Sequence, residues 1–292
     1  MIGAIEAGGT KFVCAVGTKD GKWIERVQFP TEWPEKTMEN VIHFFKSYEL
    51  EAIGVGSFGP CGVDPDKDDF GFITSTPKPG WRSYGIVPAL KEMFDVPVGF
   101  NTDVNAAALG ESMFGAAKGL DSCLYITVGT GIGAGAIVGG KLLQGVSHPE
   151  MGHIVVRRHP ADLYAGTCPY HKDCLEGLAA GPSLENRYGK KGHQLESNAG
   201  VWEMEAYYLA QAITQYILII SPKKVILGGG VMKQRQLYPL IQEKVKAFLN
   251  GYVNVPEITE RIAEYIVAPE LGDNAGITGA LLIGKAALEK GG

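Results

Sequence analysis

The sequence predicts an α/β fold built from a duplicated unit, and three observations carry that prediction. Residues 2–17 read as an apolar run, a Gly8-Gly9-Thr10-Lys11 turn and a second run, FVCAVG; residues 123–139, CLYITVGTGIGAGAIVG, repeat the layout, and an offset of 120 lays Gly129-Thr130 on Gly9-Thr10. A second echo follows, because IGVGSFGP at 53–60 and VILGGGVM at 225–232 each run from an apolar strand into a glycine turn after a helical stretch. The 40 glycines of the 292 residues gather in short clusters behind these apolar runs. Strands alternating with helices at a repeated spacing belong to layered α/β architectures.

The elements follow in order. The first is a strand, tight turn and strand. Residues 37–48 carry a helical stripe of Met38, Val41, Ile42 and Phe45,. The stretch 61–80, CGVDPDKDDFGFITSTPKPG, is rich in Pro, Gly and Asp and reads as an excursion from the first domain,. Residues 103–114 are helical through Ala106, Ala107, Ala108, Leu109 and Met113, with Asp103 at the start. The segment 202–220 is apolar on most faces, too short of clean apolar residues to span a bilayer, and stopped by Pro222, so it reads as a buried core helix,. Amphipathic helices fit 235–249 and 275–289. A small α/β domain is expected over 1–114 and a larger one over 115–274, with the helix at 275–290 packing back onto the first.

Composition excludes several classes. With 45% hydrophobic and 20% charged residues the chain buries a sizeable core,. A net charge of −5 and no basic run longer than a pair argue against a nucleic-acid partner,. The five cysteines do not form a disulfide framework, no leader precedes Ile2, and no run of 18 apolar residues occurs, so a cytoplasmic protein without a membrane partner is expected,.

Between Glu150 and Glu176 the chain reads EMGH and then CPYHKDCLE. His153, Cys168, His171 and Cys174 are four ligands of the kind that suits zinc, and four protein ligands leave no open position for water, the mark of a structural ion. Such a metal would fix Glu150 and Glu176 on either side of the loop. Glycine turns bring backbone N–H groups close to anions. Gly8-Gly9-Thr10-Lys11, Gly129-Thr130-Gly131-Ile132-Gly133 and Gly228-Gly229-Gly230 together suggest a nucleotide phosphate site, while the absence of GxxxxGK[ST] and of a strand-to-helix glycine motif disfavours Walker-type and dinucleotide readings,. Asp103 is read in two compatible ways, as the helix N-cap and as a carboxylate that orients a substrate hydroxyl and takes its proton. Glu150, Glu176, Asn105 and His153 supply the carboxylates and polar groups that a sugar requires.

The motifs AGGTKF, GSFGP, TPKPGW, NTDVNAAALGE, ITVGTGIGAG, HPEMGH, LGGGVM and LGDNAGITGALL, with the Cys/His cluster, resemble the ROK family of sugar kinases across nearly the whole chain, and within it the bacterial fructokinases. The resemblance implies an actin-like, RNase H-type two-domain kinase that phosphorylates fructose at C6 from ATP in the interdomain cleft, with Mg²⁺ on the nucleotide, a structural zinc and a homodimeric assembly. It implies Asp103 as general base. Asn105, Glu150, His153, Glu176, Gly59, Pro60, Trp81 and Thr102 would face the sugar. Gly8, Gly9, Thr10, Lys11, Thr130, Gly131, Gly133, Pro182, Gly228, Gly229 and Gly230 would face ATP. Two departures stand out: Thr102 replaces the Asn that most of the family places before the aspartate, and the first zinc cysteine sits six residues before Cys174. Alternative substrates are glucose, mannose or N-acetylmannosamine; more remote readings are a sugar-sensing regulator, which would need a DNA-binding segment ahead of Ile2, and an inactive sugar-binding module.

Overall fold

The computed structural model describes residues 1–19 and 21–291. In chain order its elements are β1 (Ile2–Ala7), β2 (Lys11–Gly17), β3 (Trp23–Pro30), α1 (Pro34–Phe45), β4 (Ala52–Ser57), β5 (Phe72–Ile73), β6 (Tyr84–Gly85), α2 (Ile86–Met93), β7 (Val98–Thr102) and α3 (Asp103–Phe114). They continue with β8 (Cys123–Val128), β9 (Ile132–Val138), β10 (Lys141–Leu142), α4 (Leu175–Ala179), α5 (Gly181–Tyr188), α6 (Ala199–Ile220), β11 (Val225–Gly228), α7 (Leu237–Leu249), α8 (Pro256–Thr259), α9 (Ile262–Tyr265), β12 (Ile266–Val267) and α10 (Ala275–Gly291). The chain divides into two compact units. One holds Met1–Lys118, Leu142–Pro149 and the stretch from Asp273 onward; the other holds Gly119–Lys141 and Glu150–Gly272. The segment Leu142–Pro149 therefore groups with the first unit and not with the expected domain over 115–274.

The duplication is visible strand by strand. The first sheet runs β3-β2-β1-β4-β7 and the second β10-β9-β8-β11-β12. In each, the central strand is antiparallel to its hairpin partner and parallel to the next strand inward along the chain. Gly3 pairs with Ile53 and Ile53 with Val98; Leu124 pairs with Val225 and Val225 with Ile266. The hairpins differ by one residue, since Ala7 faces Phe12 whereas Val128 faces Ile132. The sequence offset of 120 accordingly superposes β2 on β9, and the strands before the turns match one position further along.

Period-two alternation organises the core of the first unit. Ile5, Ala7, Phe12, Cys14, Val16, Ile53 and Val55 point to one face, where they meet Met38, Val41 and Phe45 of α1 and Leu90 of α2,. Ile2, Ala4, Val13, Ala15 and Ala52 point to the other, against Ile277, Ala280 and Leu281 of α10. Both faces are covered, which is why β1, β2 and β4 read as continuous apolar runs and not as alternating ones. The approach of α10 is close: a Cβ on Gly54 would lie 1.9 Å from the Ala280 carbonyl oxygen, and one on Gly279 would lie 1.6 Å from that of Ala106. Only glycine permits backbone contact of this kind.

The predicted helices form, some of them with shifted starts. α1 begins three residues before the apolar stripe because Pro34, with its fixed φ and missing N–H, occupies the first helical turn,. α3 has the expected bounds. α6 extends the expected core helix to 22 residues and buries Trp202, Tyr208, Leu209, Ile213 and Tyr216. It also buries Glu205, whose two carboxyl oxygens have no hydrogen-bond partner and whose carboxyl is pushed well above the ordinary glutamate range by burial, against the opposing charge of Arg187.

A carboxyl with a raised folded pKa binds its proton more tightly in the native than in the unfolded chain, so its contribution is present below the ordinary glutamate value and is lost as pH rises through the folded value. Glu205→Gln removes that dependence. Urea midpoints of the two proteins at about pH 5.5 and about pH 8.5 are expected to converge at the acidic end and to favour the variant at the basic end.

Candidate active site

In the first unit, β1, β4 and β7 run parallel, so the turn after β1, the segment after β4 and the start of α3 emerge at one edge of the sheet. The turn after β1 is closed by Gly8 N–H donating to Lys11 O at 3.0 Å. Its carbonyls are all drawn back into the protein. Thr31 Oγ1 donates to Gly8 O at 2.6 Å, Lys78 Nζ to Gly9 O at 2.7 Å and Thr31 N–H to Thr10 O at 2.9 Å. A Cβ on Gly9 would meet open space. A turn with its oxygens tied down presents N–H groups and positive charge to an anion, the arrangement that phosphate sites use.

At the end of β7, Thr102 is the N-cap of α3: its hydroxyl accepts from Asn105 N–H at 3.1 Å. The reading of Asp103 as the cap is corrected. Asp103 is the first residue inside the helix, half-buried, with Oδ1 accepting from Val104 N–H at 2.8 Å. A carboxylate in that first turn is favourably placed toward the positive end of the helix dipole. Thr102, expected to face sugar, is instead buried and occupied by capping. Asn105 is also buried and donates Nδ2 to Asn101 Oδ1 at 2.7 Å, so it is not a solvent-facing helix residue. Gly59 and Pro60 lie half-buried just past β4. Trp81, placed by the sequence reading on the sugar side, belongs to the core: it is fully buried, packs on Phe12, Phe58 and Tyr84, and donates Nε1–H to Glu32 O at 2.8 Å.

The second unit builds its turn from three pieces. Gly181 N–H, at the start of α5 just before Pro182, donates to Gly129 O at 2.7 Å. Gly229 takes a φ of +93°, and a Cβ there would lie 2.4 Å from Val128 O, which only glycine tolerates,. A Cβ on Gly129 would lie 3.8 Å from Gly230 N. The expected residues Gly129 to Gly131, Pro182 and Gly228 to Gly230 are thus neighbours, with Thr130 exposed and Gly133 in β9.

Glu176 joins this turn to the metal-type cluster. Its Oε2 accepts from Ile132 N–H at 2.9 Å, and Oε1 lies 3.9 Å from His153 Nε2. The opposite nitrogen of the same ring, Nδ1, lies 3.6 Å from Cys168 Sγ and 3.5 Å from Cys174 Sγ, while His171 Nδ1 is 3.7 Å from Cys168 Sγ. Zinc bonds of roughly 2.3 Å to sulfur and 2.0–2.1 Å to nitrogen give tetrahedral S···N edges of about 3.6 Å. The four donor atoms, all within 4.8 Å of one another, fit such an ion. Burial pushes the Cys174 thiol up to about 11 in the absence of metal. Glu150 remains open to solvent, yet the protein packed around it and, second, the charge of Glu176 push its carboxyl up to about 7.

The helix α4 that carries Glu176 is held by residues the sequence reading missed. Ser183 Oγ donates to the carbonyls of Glu176 and Gly177, at 3.0 and 2.9 Å. Arg187 donates to Leu178 O at 2.7 Å and, through Nε and Nη2, to both oxygens of Asp162. Asp162 also accepts from Tyr208 Oη at 2.6 Å and Tyr164 N–H at 3.0 Å. Burial raises the Asp162 carboxyl, but the tyrosine, the amide and the guanidinium together hold it below its ordinary value.

The family model described as ROK family matches residues 2–287. The chain belongs to the ROK family. It is 47% identical to the fructokinase of Pediococcus pentosaceus, over 99% of this chain and 99% of that protein, and 45% identical to the fructokinase of Streptococcus mutans, over 99% and 97%. Among solved structures it is similar to the ROK hexokinase of Thermus thermophilus, with a TM-score of 0.80, 28% identity and 99% of each chain covered. The two matching sheets are those of the two-domain actin-like α/β fold.

Removing one partner of a buried pair leaves an uncompensated charge, which costs about 3–5 kcal/mol. Arg187→Met is therefore expected to destabilise the protein by that order in a urea titration, and Arg187→Met with Asp162→Leu to recover most of the loss.

Proposed function

We infer that this ROK protein is an ATP-dependent fructokinase that forms fructose 6-phosphate. The observation that carries the reading is Asp103, a half-buried carboxylate at the first turn of α3, at the same sheet edge as the turn whose carbonyls are tied back. A base for a hydroxyl beside an anion cradle is the minimum equipment for phosphoryl transfer to an alcohol. Fructose is favoured because the relatives at 45–47% identity over almost their full lengths carry that name.

In this reading Asp103 accepts the proton of the C6 hydroxyl as its oxygen bonds to the γ-phosphorus. The bond from that phosphorus to the bridging oxygen breaks, and its electron pair leaves with ADP. Turn amides around Gly9 and Thr10 in the first unit, and those around Thr130 and Gly131 in the second, are each of the kind that holds phosphate oxygens. Mg²⁺ on the nucleotide would neutralise charge on the transferring group. Glu150, His153 and Glu176 orient sugar hydroxyls; zinc on His153, Cys168, His171 and Cys174 would hold their loop in place. Glu176 Oε1 stands 3.9 Å away on the Nε2 side of His153, and Nδ1 faces the two thiols. We read the protein as a cytoplasmic homodimer, the expectation that goes with its family. Among the described residues, no helix is long and apolar enough to cross a membrane.

Coupled ADP release with MgATP across fructose, glucose, mannose and N-acetylmannosamine tests the assignment. Fructose is expected to lead in kcat/KM by about 100-fold, a margin that a hydrogen-bonding site reaches. Glucose or mannose in front would overturn the sugar and keep the kinase. In the same assay Asp103→Asn is expected to lower kcat by about 10²–10⁴-fold with little change in fructose affinity.

Zinc binding requires the thiols to lose their protons, so metal affinity falls as pH falls. Metal analysis is expected to find one zinc per chain, and Cys174→Ser to lose it with a raised KM for fructose. A zinc-free protein with an ordinary KM would refute the clamp.

A further inference from the structure

The first unit carries a cation at the phosphate-type turn that its motifs do not announce. Lys78 lies near the end of the 61–80 excursion and donates Nζ to Gly9 O at 2.7 Å. Two neighbouring contacts explain how a loop residue 69 positions away is delivered there. Trp81 closes a turn on Lys78 O at 3.3 Å and anchors it through Nε1–H on Glu32 O. Gly80 adopts a φ of +80° with its Cα against the Trp33 ring, where a Cβ would come within 2.5 Å. The excursion is thus pinned to the segment 31–34, and that segment itself holds the turn through Thr31. Lys78 N–H donates to Thr76 Oγ1 at 3.2 Å, which sets the local bend between Pro77 and Pro79.

The chemistry of this placement is specific. An ammonium has three N–H groups, and one is used on Gly9 O. No carboxylate pairs with Lys78 among the described residues, and the side chain is half-buried. A half-buried lysine with no carboxylate partner, beside a turn whose carbonyl oxygens are all already hydrogen-bonded, forms a site for an anion. We propose that Lys78 is a catalytic residue whose ammonium binds the terminal phosphoryl group of the nucleotide at the Gly8–Lys11 turn. It deepens the kinase reading above and rests on that turn holding phosphate. As the C6 oxygen bonds to the γ-phosphorus and the bond to the bridging oxygen breaks onto ADP, the charge on the transferring oxygens is met by a lysine already fixed in place. Preorganised donors of this kind act without reorganisation during the reaction.

The test compares Lys78→Met, Lys78→Arg and Gly9→Val in the full-length protein. Lys78→Met is expected to lower kcat by about 10²–10³-fold. It is also expected to weaken binding of a non-hydrolysable ATP analogue far more than binding of ADP, and to leave fructose affinity unchanged by calorimetry. Lys78→Arg is expected to restore part of the loss, because the charge returns with a different geometry. A kcat for Lys78→Met within about threefold of the wild type would overturn the assignment. So would equal weakening of the ATP analogue and ADP, or a loss confined to the KM for fructose. Gly9→Val, whose side chain enters open space, reports on the turn itself. If it leaves nucleotide affinity intact, the phosphate reading of the turn fails; if it abolishes binding while Lys78→Met is silent, only the lysine assignment fails.

Discussion

The parallel pairing of β1 with β4 and of β4 with β7 is the constraint on which the chemistry of the first unit depends. Parallel strands deliver their carboxyl ends to one edge, and in open α/β sheets that edge is where ligands bind. The turn at Gly8–Lys11, the Gly59-Pro60 segment and Asp103 are distant in sequence and share an edge only because of this register. The second unit obeys the same rule, with β8 and β11 parallel and their glycine turns joined through Gly129, Gly229 and Gly230. A one-residue slip would turn every strand over and exchange its two buried faces. The apolar side chains on both faces of β1 and β2 therefore protect the geometry of the turns as well as the stability of the sheet.

A tight turn leaves carbonyl oxygens as well as amides, and an anion site works only if the oxygens are disposed of. In the first unit the oxygens of the Gly8–Lys11 turn are taken up by Thr31 and Lys78, neither of which belongs to the hairpin. The consequence is an economy of parts. The 61–80 segment, which reads in the sequence as an excursion from the first domain, serves as the arm that carries Lys78 to the turn. Its aromatic anchor, Trp81, is buried for that structural reason and not for ligand contact.

Much of this was legible in the residues because the signals are local. Hairpin turns, apolar runs and the start of α3 depend on neighbours within a few positions, and the repeat shows in matched pairs of apolar run and glycine turn. What escaped were properties that adjacent residues share or that distant ones create. Thr102 and Asp103 are both good N-cap residues, and only the backbone shows that threonine takes the cap. An aromatic residue at the end of a motif gives no sign of whether it faces a core or a ligand, so Trp81 was misplaced. The Arg187 to Asp162 pair spans 25 positions and the Lys78 to Gly9 bond 69, separations across which sequence pattern carries no periodic signal.

The same reasoning explains why Glu176 is supported from both ends. α4 has only five residues. Helix nucleation is unfavourable, and a helix that short has no stability of its own. Its position must be imposed from outside, and two unlike devices impose it. Cys174, at its N-cap, belongs to the four-donor cluster, and Arg187 takes up the Leu178 carbonyl near its C-terminal end while gripping Asp162. Between them, Ser183 satisfies the carbonyls of Glu176 and Gly177, and Glu176 itself reaches Ile132 N–H in the second turn. A carboxylate on a loop would sample many positions, and misplacement of even about 1 Å costs a positioning group much of its effect. By fixing a single turn of helix at both ends, the fold gives Glu176 the rigidity of a long element without the length of one.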